Sequence, residues 1–276
     1  MKLQKKILKS FGSGSMTNIE HKEMIYSQVK NIDEYSSLAR LIISLSDVCN
    51  YRCSFCPHGN GYEHKTKFIS LETIRKIKDS LKGKFRGSFS LSGFGEPTLN
   101  PNMNMIISEL KQIGEVVLYS NGWAPDIVLN SEADKIEISA YDEETANYFE
   151  SLKNDNIFVK RFFTKGQTFF NNRAGFLKSN LTIPDTCCNI IMMKMSIDTD
   201  GNILQCCSDW SRKNILGNVY RDNIWDVWKN KMRHERELLL SGNRKNTILC
   251  SKCTSPGDLY GNQYKEFWKD YYAKHK

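Results

Sequence analysis

Three cysteines spaced Cys49-x3-Cys53-x2-Cys56 place three potential thiolate ligands on one short segment. Asp47, Asn50 and Arg52 around them are residues of a loop leaving an apolar run, Leu41–Leu45. Three thiolates on one loop can hold three corners of an iron–sulfur cube and leave its fourth iron without a protein ligand. An open iron is a place where a small molecule can bind and react. Zinc is the alternative, completed by His58 or His64, since thiolate and imidazole both suit Zn²⁺. A structural zinc loop more often pairs its cysteines and recruits a second pair nearby. No such pair lies close in this sequence.

The nine cysteines fall into three groups, 49–56, 187–207 and 250–253, and such clustering points to ligands. Cys188, Gly201, Cys206 and then Cys250-x2-Cys253 describe four thiols that a hairpin and a later loop could bring together. Four thiolates would saturate a metal site, and a structural tetrathiolate zinc is the plain reading of two such pairs. Cys187 and Cys207 adjoin this set and fall out of its register. So many cysteines in a chain of 276 residues suit a reducing compartment, and a cytoplasmic protein is expected.

The elements that must position these groups alternate. Strand candidates are 41–46, 88–92, 115–119, 135–139 and 157–162. Between them Ser70 caps a helix with Leu71, Ile74, Ile77 and Leu81 on one face, and Pro101 opens another through Met103, Ile106, Ile107 and Leu110. Strand–helix alternation implies parallel strands with right-handed crossovers. Five or six such units cannot close an eightfold barrel, so the fold class is α/β, a partial (βα) TIM-like barrel spanning 40–185. In such folds function gathers at the carboxyl ends of the strands. The cysteine loop, Gly93-Phe94-Gly95-Glu96-Pro97, Ser120-Asn121-Gly122 and Ser139-Ala140-Tyr141 all follow strands. Taken singly, the glycine segment reads as a turn and each Ser or Asn as a turn cap. From about 186 a β-hairpin with a Gly-containing turn, an amphipathic helix near 223–240 and an aromatic-rich helix near 258–273 form a small appended domain, 186–256, followed by a C-terminal helix in 257–276.

Together these motifs resemble the radical S-adenosylmethionine (SAM) enzymes with a SPASM/Twitch-type C-terminal extension. The resemblance spans about 40–256. It implies a [4Fe–4S] cluster on Cys49, Cys53 and Cys56 with Phe55 beside it, and SAM on the open iron. It implies SAM contacts from Gly93, Gly95, Glu96 and Pro97, and from Ser120, Asn121 and Ser139. It implies a second [4Fe–4S] cluster on Cys188, Cys206, Cys250 and Cys253, in the shorter Twitch form because no cysteine follows Cys253. Asn171-Asn172-Arg173-Ala174-Gly175 is similar to a loop of the dehydrogenase and peptide-maturing branches, where Arg173 would act catalytically on substrate; a surface arginine is the alternative. Such enzymes draw electrons from a flavodoxin- or ferredoxin-like donor. The expected activity is oxidative modification of a ribosomally made peptide, such as cross-linking. The alternatives are dehydrogenation of a sugar or aminocyclitol alcohol, or a zinc-binding structural module.

Composition narrows the partners. Four of the eight net positive charges sit in residues 1–15, and the remainder is unremarkable for the size. The block 231–236 reads as a solvated helix face, so no nucleic-acid partner is expected. No apolar run approaches the roughly 20 residues needed to span a bilayer, so no membrane partner is expected. Gly12-Ser13-Gly14-Ser15 before Met16 has the form of an engineered linker, with 16–39 as an N-terminal extension. Residues 1–11 are then either an expression scar or a tethered peptide substrate whose linkage raises its local concentration.

Overall fold

Along β1 (Arg40–Ile43), Leu41 and Ile43 face a buried core while Arg40 and Ile42 face the other way, the period-two alternation of a strand. The computed structural model describes residues 26, 29, 31–162 and 171–275. The proposed linker and the peptide 1–11 lie outside them. After β1 come α1 (Leu71–Leu81), β2 (Ser88–Leu91), α2 (Met103–Lys111), β3 (Glu115–Ser120), α3 (Pro125–Leu129), β4 (Lys135–Ala140), α4 (Glu143–Ser151) and β5 (Ile157–Arg161). Ser70 caps α1 by accepting from the Thr73 backbone N–H at 3.1 Å, an arrangement that stabilises a helix by about 1 kcal/mol.

The chain then adds α5 (Ile190–Met193), β6 (Lys194–Ile197), β7 (Asn202–Leu204) and β8 (Ile215–Asn218). All eight strands form one sheet in the order β5-β4-β3-β2-β1-β6-β7-β8. Strands β5 through β6 run parallel, and β7 and β8 complete the sheet antiparallel. The fold is thus an open, partial barrel. The expected boundary near 186 falls just before a strand that pairs with β1, so the appended hairpin continues the barrel's own sheet.

Helices α1 and α2 pack Ile74, Ile77, Leu81, Ile106 and Leu110 against one face of the sheet. The opposite face lines the lumen and is mostly polar, with Ile42, Val117 and Phe158 as its apolar members. It carries Arg40 and Ser44 on β1 and the residue run after it, Ser90 on β2, Tyr119 on β3, Glu137 and Ser139 on β4, Lys160 on β5, and Lys194 and Ser196 on β6. Glu137 and Lys160 form an ion pair there.

The C-terminal part comprises α6 (Ile224–Asp226), a π-helical turn at Val227–Lys231, α7 (Arg233–Leu240) and α8 (Asn262–Lys274). The π turn breaks what the sequence pattern suggests is one helix over 223–240. The block 231–236 is not a solvated face: Met232, Glu235 and Arg236 are buried. The Arg236 guanidinium lies between Trp228 and Trp268, 3.9 and 3.8 Å from their ring centroids. It donates to the carbonyls of Ile191 and Trp228 and to the Tyr272 hydroxyl. Burial lowers its pKa to about 10. A desolvated cation over an aromatic face gains about 2 kcal/mol, so this one side chain pins α8 to α7 and α5. Among the described residues no helix is long and apolar enough to cross a membrane.

Candidate active site

The cysteine loop leaves β1 and folds on itself through local hydrogen bonds. Cys56 N–H donates to the Cys53 carbonyl, Gly59 N–H to that of Cys56, and Asn60 Nδ2 to the carbonyls of Ser54 and Cys56. Its base is anchored by Asp47, a buried carboxylate that accepts from Arg212 Nη2 at 2.9 and 3.0 Å, Tyr62 at 2.6 Å and Thr199 at 2.6 Å. This ties the loop to the β6–β7 turn. Burial pushes the Cys49 thiol up to about 11 and raises Cys53 and Cys56 as well, so ligation must displace protons. Neither candidate imidazole faces these thiols: His58 Nε2 donates to the Phe94 carbonyl at 2.5 Å, and His64 pairs with Asp200 at 2.9 Å.

Beside this loop, Gly93 has φ 121°, a conformation open to glycine, and a Cβ on Gly95 would clash with the carbonyl oxygens of Val48 and Ser46. The backbone of 93–95 therefore lies directly against the root of the cysteine loop. Phe94 is buried under the Arg212 guanidinium, 3.9 Å from its ring centroid, and meets Trp210 edge-on. The Glu96 carboxylate accepts from Thr98 N–H and Oγ1, from Ser120 Oγ at 2.9 Å and from Asn121 N–H at 2.8 Å. Burial raises its pKa against the pull of those donors. Glu96 and Ser120 thus spend their side chains on each other, and buried Pro97 starts the helical turn that follows. Asn121 reaches the cysteine loop, donating from Nδ2 to Asn50 Oδ1 at 2.9 Å and lying 3.9 Å from Cys49 Sγ. Ser139 is half-buried in the lumen, in register with Lys160. Phe55 packs tilted against Tyr141 with ring centroids 5.7 Å apart.

A second, narrow cavity is lined by Cys188, Cys206, Cys250 and Cys253 together. Cys187 and Cys207, one residue away, do not line it. The neighbouring Cys206 thiol, helped by the charges of Lys194 and Arg173, instead lowers the pKa of Cys207. The Asn171–Gly175 loop is stitched onto the second cysteine pair, with Asn172 Nδ2 donating to the Lys252 carbonyl at 2.8 Å. Next to it Arg173 and Ala174 adopt φ of 48° and 51°. A non-glycine residue held left-handed costs about 1–2 kcal/mol, strain that collects at functional sites. Arg173 Nε is buried without a hydrogen bond. Its charge acts on Cys56 and Tyr141 on one side and on Cys207 on the other, so it stands between the two cysteine groups.

Comparison with known proteins agrees. The radical SAM superfamily profile matches residues 43–173, and the SPASM iron–sulfur cluster-binding domain matches 187–254. This chain belongs to the radical SAM superfamily. Its cofactors are [4Fe–4S] clusters and SAM. The radical SAM chain is 20% identical over 245 residues to the S-adenosyl-L-methionine-dependent 2-deoxy-scyllo-inosamine dehydrogenase of Niallia circulans, covering 80% of this chain and 95% of that enzyme. It shares the fold of BtrN in complex with AdoMet and 2-DOIA, with TM-score 0.69 and 19% identity over 79% of this chain and 93% of that one. It also shares the fold of Streptococcus suis SuiB bound to precursor peptide SuiA, with TM-score 0.55 and 16% identity over 92% of this chain and 80% of that one.

Sequence reasoning reads His58 only as a zinc ligand and Asn50 only as a loop residue, and it passes over Arg40. Asn50 and His58 act through contacts to Asn121 and Phe94 that join distant segments. Arg40 carries only the signal of a charged residue opening a strand.

Proposed function

We propose that this radical SAM enzyme oxidises an alcohol of a polar, hydroxylated small molecule seated in the barrel lumen. The observation that carries this reading is the lumen face itself, where the hydrogen-bonding groups of Ser90, Tyr119, Glu137, Ser139, Lys160 and Ser196 outnumber the apolar Ile42, Val117 and Phe158. Likeness to the 2-deoxy-scyllo-inosamine dehydrogenase over nearly its full length supports it. The peptide alternative draws on the Twitch-like extension, on the fold shared with SuiB and on residues 1–11, which lie outside the described residues.

In this reading Cys49, Cys53 and Cys56 hold the SAM-binding cluster, and Cys188, Cys206, Cys250 and Cys253 hold the second. When bound, these groups supply an electron to cleave SAM, a carbon radical that takes a hydrogen atom, and an acceptor for the electron left on substrate. The chain's own residues do the rest. Backbone groups of Gly93–Gly95, fixed by His58 and by Glu96 through Ser120 and Asn121, present donors and acceptors to SAM. Asn121 and Ser139 line the adjoining strand ends. Arg173, catalytic in this reading, meets substrate from the side of the second cluster; its unpaired buried Nε is available to a hydroxyl or carboxylate oxygen. Tyr141, with Phe55 and Phe162 packed on it, shields the mouth from water.

The test is anaerobic turnover of the reconstituted enzyme with a panel of sugars, cyclitols and their amino derivatives, alongside a synthetic peptide of residues 1–11. A product two hydrogens lighter, formed with 5′-deoxyadenosine, is expected from a polyol. If only the peptide loses two hydrogens, the alcohol reading is wrong.

A further inference from the structure

The lumen floor holds more positive than negative charge. Arg40 and Lys194 are register neighbours on β1 and β6, and both face inward. Lys194 has its counter-ion: Nζ lies 2.5 Å from Asp258 Oδ2 and 2.5 Å from the Tyr260 hydroxyl. Arg40 does not. Its Nε donates to Ser88 Oγ at 3.3 Å and its Nη1 to the Tyr119 hydroxyl at 2.9 Å, both neutral groups. Among the described residues no carboxylate comes within 4.0 Å of it, and the Glu137 charge reaches it only from farther off. A half-buried cation is normally paired or hydrated.

One row nearer the mouth, Ile42 is flanked by Ser90 on one side and Ser196 on the other. Each serine is 2% exposed, and neither hydroxyl has a hydrogen-bond partner within 3.5 Å, although Ser90 stands close enough to the Tyr119 hydroxyl to act on it. Buried hydroxyls without close partners are uncommon and are normally met by a water or a bound group. At the same end Tyr26, 4% exposed, stacks on Tyr260 at 5.2 Å and leaves its own hydroxyl without a hydrogen bond. An unpaired guanidinium beneath two orphaned hydroxyls is a donor set for oxygen anions, because guanidinium meets carboxylate or phosphate with parallel N–H bonds.

We infer that the floor of the lumen is a subsite for an anionic group, phosphate or carboxylate, on the substrate, held by Arg40 with Ser90 and Ser196. This rests on the alcohol-oxidation reading and narrows it: the substrate is a hydroxylated molecule with an acidic tail. The anion anchors the far end in the floor, and the reacting carbon stands nearer the strand ends.

The experiment is a binding one, so it does not depend on turnover. Holoenzyme reconstituted with both clusters and SAM is titrated with inorganic phosphate and, separately, with acetate, by calorimetry. Saturable binding of at least one is expected in the wild type. Arg40→Gln weakens it at least about tenfold, the scale of a lost charge-assisted pair. Ser196→Ala weakens it by a smaller factor while keeping iron content and melting temperature, which covers the case that Arg40→Gln misfolds. Stronger binding of phosphate marks a phosphoryl group, and stronger binding of acetate a carboxylate. If neither anion binds, or if both variants bind as the wild type does, the inference is overturned. Failure to oxidise any polyol would overturn the alcohol reading and leave these titrations unchanged.

Discussion

Asn172 and Thr254 exchange two hydrogen bonds: Asn172 N–H donates to Thr254 Oγ1 at 2.9 Å, and Thr254 N–H donates to Asn172 Oδ1 at 3.0 Å. With Asn172 Nδ2 on the Lys252 carbonyl, this clamps the strained Arg173 turn to the Cys250–Cys253 loop. Asn172→Ala removes both side-chain bonds and leaves the Thr254 N–H unsatisfied. A loss of about 1–3 kcal/mol is expected. Thermal unfolding of the reconstituted enzyme measures it, and the same variant is expected to lose iron from the second cluster first.

Arg173 is expected to act on substrate, separately from SAM. Arg173→Gln removes charge-assisted bonds worth roughly 1.5–3 kcal/mol, which is about one to two powers of ten in product formation. SAM cleavage without substrate is expected to continue at the wild-type rate; if both fall together, Arg173 serves the cluster loop instead. Ala174→Gly is the complementary change. At φ 51° glycine relieves about 1 kcal/mol of strain, so melting temperature rises while product yield per SAM falls as the turn loosens.

The parallel strands were readable because each is a short apolar run ended by turn residues, and the lengths agree within one or two residues at β2, β3 and β4. Strand order is not local information, so nothing in Met192–Ile197 shows that the later hairpin joins β1. Arg236 looks solvated because its own segment is charged; the two tryptophans that enclose it come from positions 228 and 268. The cysteine triplet announces itself by spacing. The second set is less plain, since Cys187–Cys188 and Cys206–Cys207 are each a pair; the resemblance implies Cys188 and Cys206, and these two line the cavity with Cys250 and Cys253.

That selection is testable by metal content. Two cubes give about eight irons per chain. Single Cys188→Ala, Cys206→Ala and Cys253→Ala variants are expected to fall toward about four, whereas Cys187→Ala and Cys207→Ala keep the full complement. Gly257 supplies a subtler check. It has φ 81°, and a Cβ there would strike Cys188 Sγ. Gly257→Ala is therefore expected to lose the second cluster while the SAM-binding cluster and its reduced-state spectrum persist.

Glu96 makes a prediction about pH. Its carboxyl is buried and its folded pKa is raised above the ordinary 4.5. A group that binds its proton more tightly when folded contributes stability that is fully present below the unfolded pKa. That contribution fades as pH rises through the folded pKa. Wild-type stability should therefore decline on going from about pH 4.5 upward through that value, against whatever other groups contribute. In Glu96→Gln the slope from this group vanishes. The amide presents only one acceptor oxygen to donors from Thr98, Ser120 and Asn121, so its NH₂ faces an N–H or O–H donor. A net loss of about 1–3 kcal/mol at neutral pH is expected. Because Asn121 is then released from its place beside Cys49, SAM affinity should fall with it, which equilibrium dialysis on the reconstituted protein would measure. Lower stability with unchanged SAM affinity would reduce Glu96 to a support for β3 alone.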